Sequence, residues 1–161
     1  MKDIVKAEIG IRQLYARCVD AVWRQDVAAF GQCYDVSGEW KLAGRHYCGR
    51  DEVERGFDEL LSVNERVQMI MSNPILDYRE DGVITRTQVT ELIKRKDGLG
   101  VTTMGVYYER IIDAGDRWLF AWRHFDLHYY GPPDLSGTFY TVPDYGPFPA
   151  MPSPDGGTTV R

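Results

Sequence analysis

Cysteine and histidine are scarce in this sequence, with three of each among 161 residues. The cysteines are Cys18, Cys33 and Cys48. An odd number at wide spacing makes neither a disulfide framework nor a Cys-x-x-Cys metal site. Buried free thiols are expected instead. Of the histidines His46, His124 and His128, the last two lie four apart in a segment that reads as strand. That spacing sets them about 13 Å apart on one face, too far to share a metal. A metal site is therefore not expected. Basic character is also missing: the formal net charge is −5, the pI is about 5.2, and no basic block occurs. Nucleic-acid binding needs a concentrated positive patch, so it is not expected. No apolar run approaches the roughly 18 residues of a membrane span. Met1-Lys2-Asp3-Ile4 lacks the apolar stretch of a signal peptide, which makes the cytoplasm the expected location. Proline is nearly absent before residue 131, where only Pro74 occurs; the other seven lie in 131–161.

What is present suits one domain with a real core, since 43% of residues are apolar. Residues 4–24 predict a helix, because Ile4, Ala7, Ile11, Leu14, Tyr15, Cys18 and Val22 recur at three- and four-residue steps. Asp26 reads as the cap of a short helix over 27–34. Trp40, Leu42 and the segment around Tyr47 suggest two short strands split by Gly44. Gly49 precedes a helix over 51–63. From 66 onward the pattern becomes strand: 67–79 (broken at Asn73-Pro74), 83–95, 100–112 and 117–130, with turn signals at Glu80-Asp81-Gly82 and Asp97-Gly98. Helices followed by an antiparallel meander make an α+β order. The proline-rich tail, 131–161, cannot form helix or central strand. Its Phe139, Tyr140, Tyr145 and Phe148 predict an extended arm belonging to the same domain as 1–130, ordered up to about Met151, with 153–161 expected to fray.

Several short motifs occur in a fixed order. They are Ile11-Arg12-Gln13-Leu14-Tyr15 in the first helix, Glu39-Trp40 at a strand, Gly49 before the third helix, Gly105-Val106-Tyr107, Trp118 and Arg123. In this order they resemble the SnoaL-like branch of the nuclear transport factor 2-like superfamily. That family includes scytalone dehydratase, hexachlorocyclohexane dehydrochlorinase and bile-acid 7α-dehydratase, alongside ketosteroid isomerase and polyketide cyclases. The resemblance implies a cone-shaped α+β barrel, its curved antiparallel sheet wrapped around the N-terminal helices and one deep apolar pocket. It also implies cofactor-free proton abstraction on a small hydrophobic molecule. The dehydratase-type members use an Asp late in the first helix and a His on the first long strand. The matching positions here are Trp23 and Met69, the latter in Met69-Ile70-Met71-Ser72-Asn73, so the dyad is expected to be replaced.

A replacement acid–base group must then come from the sheet. On the strand over 83–94, the odd positions Val83, Thr85, Thr87, Val89, Glu91 and Ile93 are the less polar set and should face inward. Glu91 is the one carboxylate among them. Burial disfavours its charged form and suits it to act near neutral pH. The other reading is a structural pairing with an arginine. The resemblance places Arg123 in the pocket as the partner of Glu91 or of a substrate oxygen. Tyr107, His46 and His128 complete the candidate catalytic set. Tyr15, Trp23, Trp40, Tyr47, Met69 and Asn73 are the candidate substrate contacts. For each of these, a purely structural role is the competing reading.

These features predict a lyase acting by acid–base elimination, either dehydration or loss of formaldehyde, on a hydroxylated aromatic or polycyclic molecule. An isomerase or cyclase in the same pocket, or a non-catalytic binding or assembly subunit, are the alternatives. A homodimer or homotrimer is expected as well, because 117–130 is apolar on both faces: Trp118, Phe120 and Trp122 on one, Leu119, Ala121, Phe125 and Leu127 on the other.

Overall fold

The computed structural model describes residues 3–140. Helix α1 (Ile4–Arg24) opens where the Asp3 side chain accepts from the Lys6 amide. It buries the stripe Ala7, Ile11, Leu14, Tyr15, Cys18, Ala21 and Val22 and ends at Gln25, in the left-handed region. Helix α2 (Val27–Gly31) is shorter than its sequence pattern suggests. Asp26 caps it, accepting from the Ala29 amide at 2.9 Å, but by Tyr34 the chain has already entered β1 (Tyr34–Leu42). Helix α3 (Arg50–Val63) carries Asp51 and Glu52 in its first turn, where carboxylates complement the helix dipole.

The remaining strands are β2 (Arg45–Cys48), β3 (Asn64–Met71), β4 (Ile75–Arg79), β5 (Gly82–Arg95), β6 (Gly100–Asp113), β7 (Trp118–Gly131) and β8 (Thr138–Phe139). They form one open, curved sheet in the order β2-β1-β7-β6-β5-β3, with β4 on β5 and β8 on β7. The sheet is mixed rather than wholly antiparallel, because β1 runs parallel to β7. The three helices cover its inner face, and the main core forms between them. Beyond residue 131 the arm turns back, so that Phe139 pairs with Tyr129 across β7 and β8. Tyr145, Phe148, Met151 and the segment 153–161 lie outside the described residues.

Alternation on β5 runs as the sequence suggests: Val83, Thr85, Thr87 and Val89 are buried, while Gln88, Leu92 and Lys94 are exposed. Alternation on β7 does not. Ile111 pairs with Phe120 and Arg110 with Trp122, leaving Ala121 as an extra residue. A second shift leaves His128 extra, between Leu127 and Tyr129. Each bulge flips the side-chain parity of the strand residues beyond it. Trp118 and Phe120 therefore face the core, whereas Trp122 packs outside with Ile84, Val106 and Tyr108. The expected single face of Trp118, Phe120 and Trp122 is thus divided.

Candidate active site

A cavity of about 460 Å³ opens between the C-terminal half of α3 and the sheet, within the usual range of about 300–1,000 Å³ for small-molecule sites. Strand register builds its sheet wall. Met69 stands opposite Glu91, Glu91 opposite Thr103, and Thr103 opposite Tyr130, and all four line the cavity. The next inward row, Val67, Ile93 and Val101, lines it too. Val22, Phe30, Trp40, Phe57 and Leu60 close the opposite side. At the rim, Glu59 is held by Arg45 and Arg55.

Glu91 differs from Glu59 in having no ion pair among the described residues. It is half-buried, and Thr103 Oγ1 donates to its Oε2 at 2.8 Å. Burial pushes its pKa up; the Thr103 bond and the charge of Arg123 offset part of that rise. The carboxyl is therefore readier to hold a proton than an exposed glutamate.

Beneath the cavity lies a sealed polar layer that does not line it. Arg123 Nε donates to Glu109 Oε1 at 2.8 Å, and neither side chain is exposed. Glu109 Oε2 accepts from Thr85 at 2.7 Å, and Tyr15 also donates to it. The guanidinium lies between aromatic rings, 3.8 Å from the Tyr107 centroid and 4.2 Å from that of Phe120. Burial raises the pKa values of Tyr15 and Tyr107, which keeps both phenols neutral. The bulge at Ala121 makes this layer possible, since it turns Arg123 inward directly opposite Glu109.

The candidate residues thus separate into groups. Glu91, Trp40, Tyr47 and Met69 line one cavity. Arg123, Tyr107 and Tyr15 are buried outside it, and the guanidinium pairs with Glu109 rather than Glu91. Trp23 is 54% exposed and forms no wall, because it lies past the edge of the buried stripe of α1. Asn73 is exposed in the β3–β4 connection. His46 is exposed on β2, bonded to Glu39. His128 sits at the second bulge beside Asp126, 3.1 Å from its carboxylate. Neither histidine lines the cavity. Sequence reasoning missed Glu109, Thr103 and Tyr130. The alternation that selects Glu91 on β5, applied to β6, would have found Glu109 two residues after Tyr107; Tyr130 is visible only through the second bulge.

The SnoaL-like domain family matches residues 4–124. The chain belongs to this family. Its fold is that of the nuclear transport factor 2-like superfamily, shared with solved structures of low sequence identity. A hexachlorocyclohexane dehydrochlorinase, LinA type 2, superposes with a TM-score of 0.75 at 18% identity, over 88% of this chain and 97% of that one. LinA type 3 from Novosphingobium barchaimii LL02 gives 0.75 at 17%, over 88% and 98%. A candidate scytalone dehydratase from Novosphingobium aromaticivorans gives 0.73 at 16%, over 89% and 94%. No curated protein matches the chain. Among the described residues no helix is long and apolar enough to cross a membrane.

Proposed function

We propose that this SnoaL-like protein is a cofactor-free lyase in which Glu91 is the acid–base group. The observation that carries this reading is the carboxyl of Glu91, free of ion pairs among the described residues, on the wall of an otherwise largely apolar cavity. The names of the similar structures, a dehydrochlorinase and a dehydratase, both describe eliminations and support the class.

The ionised Glu91 takes a proton from a carbon beside an activating carbonyl or phenol. The C–H electron pair forms the new double bond as the neighbouring C–O bond breaks. The departing hydroxide recovers the proton from Glu91 and leaves as water. Thr103 fixes the carboxylate through its hydroxyl, and Met69, Trp40 and Phe57 exclude water around the ring system. Arg123 and Tyr107 act from beneath through their fields, without touching the substrate. Aromatic walls and soft methionine favour a hydroxylated aromatic or polycyclic substrate.

The test is incubation with a panel of hydroxylated ring compounds, followed by mass spectrometry. A product lighter by one water, lost in Glu91→Gln, is the expected result. Turnover should fall about 10²–10⁴-fold, the usual worth of general acid–base catalysis. A product of unchanged mass would make the protein an isomerase, and tight binding without turnover would make it a binding module.

A further inference from the structure

The face of the β1–β2 hairpin turned away from the cavity carries a second cluster of chemically capable side chains. Trp40 and Tyr47 point to the cavity, so their strand neighbours point the other way. Register places Glu39 directly opposite Cys48, and Lys41 opposite His46. His46 Nε2 lies 2.5 Å from Glu39 Oε2 and 3.4 Å from Cys48 Sγ. The three donor atoms all fall within 4.8 Å of one another.

We propose that Glu39, His46 and Cys48 bind one divalent transition-metal ion of the zinc class. In a tetrahedral zinc site, Zn–N of about 2.0–2.1 Å and Zn–S of about 2.3 Å set an N···S edge near 3.6 Å. The His46–Cys48 edge already has nearly that length. The Glu39 oxygen now shares a hydrogen bond with the imidazole, and it needs to withdraw by only about 1 Å to become a ligand. One nitrogen, one sulfur and one oxygen donor suit zinc, and the thiolate disfavours magnesium and calcium. Three protein ligands leave a fourth position for water. It can also admit Glu52, whose carboxylate accepts from the Cys48 amide at 2.9 Å. His46 and Cys48 are exposed and Glu39 is half-buried, so an ion has a way in.

Binding displaces the proton of the Cys48 thiol to solvent and ties the two strands of an edge hairpin together. Lys41 lies opposite His46 on the same face, and its positive charge weakens the attraction of a cation there. The site is independent of the cavity, as none of its three residues lines it.

Titration of the full chain with Co²⁺, followed by optical absorption, tests this directly. One equivalent should produce thiolate-to-cobalt charge transfer in the near ultraviolet and the visible bands of tetrahedral cobalt, and Zn²⁺ should bleach both. Cys48→Ser should abolish the charge-transfer band while Cys18 and Cys33 remain as internal controls. His46→Gln and Glu39→Gln should each weaken zinc binding at least about tenfold, since loss of an outer-shell group alone costs about 10–100-fold. Lys41→Gln should tighten it. The proposal is overturned by absence of a stoichiometric band in the wild type, by a band that survives Cys48→Ser, or by affinity unchanged in both His46→Gln and Glu39→Gln.

Discussion

Arg123 and Glu109 face one another across neighbouring strands, Nε to Oε1 at 2.8 Å, with no part of either side chain in solvent. This pair gives the inner end of the fold a fully buried cation and takes the arginine out of direct reach of the cavity. Removing one charge strands the other. Glu109→Gln should therefore destabilise the protein by about 3–5 kcal/mol, the usual cost of breaking a buried pair on one side. Urea unfolding at neutral pH measures this, and a loss below ~1 kcal/mol would show that Arg123 has another anion to hold.

Tyr15 tests the same layer from the helix side. Its hydroxyl donates to Glu109 and lies 2.9 Å from both Thr85 and Thr87. Tyr15→Phe keeps the ring against Phe120 and removes only the oxygen. A loss of about 1.5–3 kcal/mol is expected, as for hydrogen bonds to charged groups. Thermal melts of this variant, alone and combined with Glu109→Gln, should be non-additive, because both changes remove the same bond.

Glu91 carries a pH signature. Its pKa is raised in the folded chain by burial. The folded state thus holds this proton more firmly than the unfolded state. The stabilising contribution is complete below the ordinary glutamate value of about 4.3 and is lost as pH rises through the raised folded value. Glu91→Gln removes that loss. The variant should melt higher than wild type at pH 7–8, and the gap should close toward pH 4. An equal difference between the two proteins at every pH would mean that Glu91 titrates normally.

Gly105, the first residue of the Gly-x-Tyr motif, lies where the second bulge begins. A Cβ there would meet the Asp126 carbonyl oxygen at 2.2 Å and the Phe125 ring at 2.6 Å. The carbonyl belongs to the backbone and cannot rotate aside. Gly105→Ala should cost at least about 1–3 kcal/mol, the range for overpacking, and should disturb Phe125 on the cavity wall. Tryptophan fluorescence and urea titration would reveal a tolerated substitution.

The outer face of the sheet leaves Ile70, Ile75 and Leu92 between 41% and 50% exposed, beside the packed group of Ile84, Val106, Tyr108 and Trp122. We expect a homodimer or homotrimer that covers this face. Light scattering at micromolar concentration should report it, with Leu92→Glu shifting the mass toward the monomer. A monomeric wild type would remove the expectation.

Much of this architecture was legible in the sequence, for local physical reasons. Helical periodicity set α1 and its buried stripe, and the side chain of Asp26 begins α2. Alternation on β5 placed Glu91 inward, since successive side chains on an unbroken strand must point to opposite faces. What alternation could not foresee was where β7 breaks its own rule. The extra residues Ala121 and His128 exist only relative to β6, because a bulge is a mismatch between two strands and belongs to neither sequence alone. That mismatch sends Trp122 outward, turns Arg123 onto Glu109 and aims Tyr130 at the cavity. The same holds for the hairpin. Glu39 and Cys48 are nine residues apart on different strands, and only the register of β1 against β2 brings them face to face. Local pattern determined which elements form and which way most residues point; register, a property of pairs of strands, decided which charged groups meet.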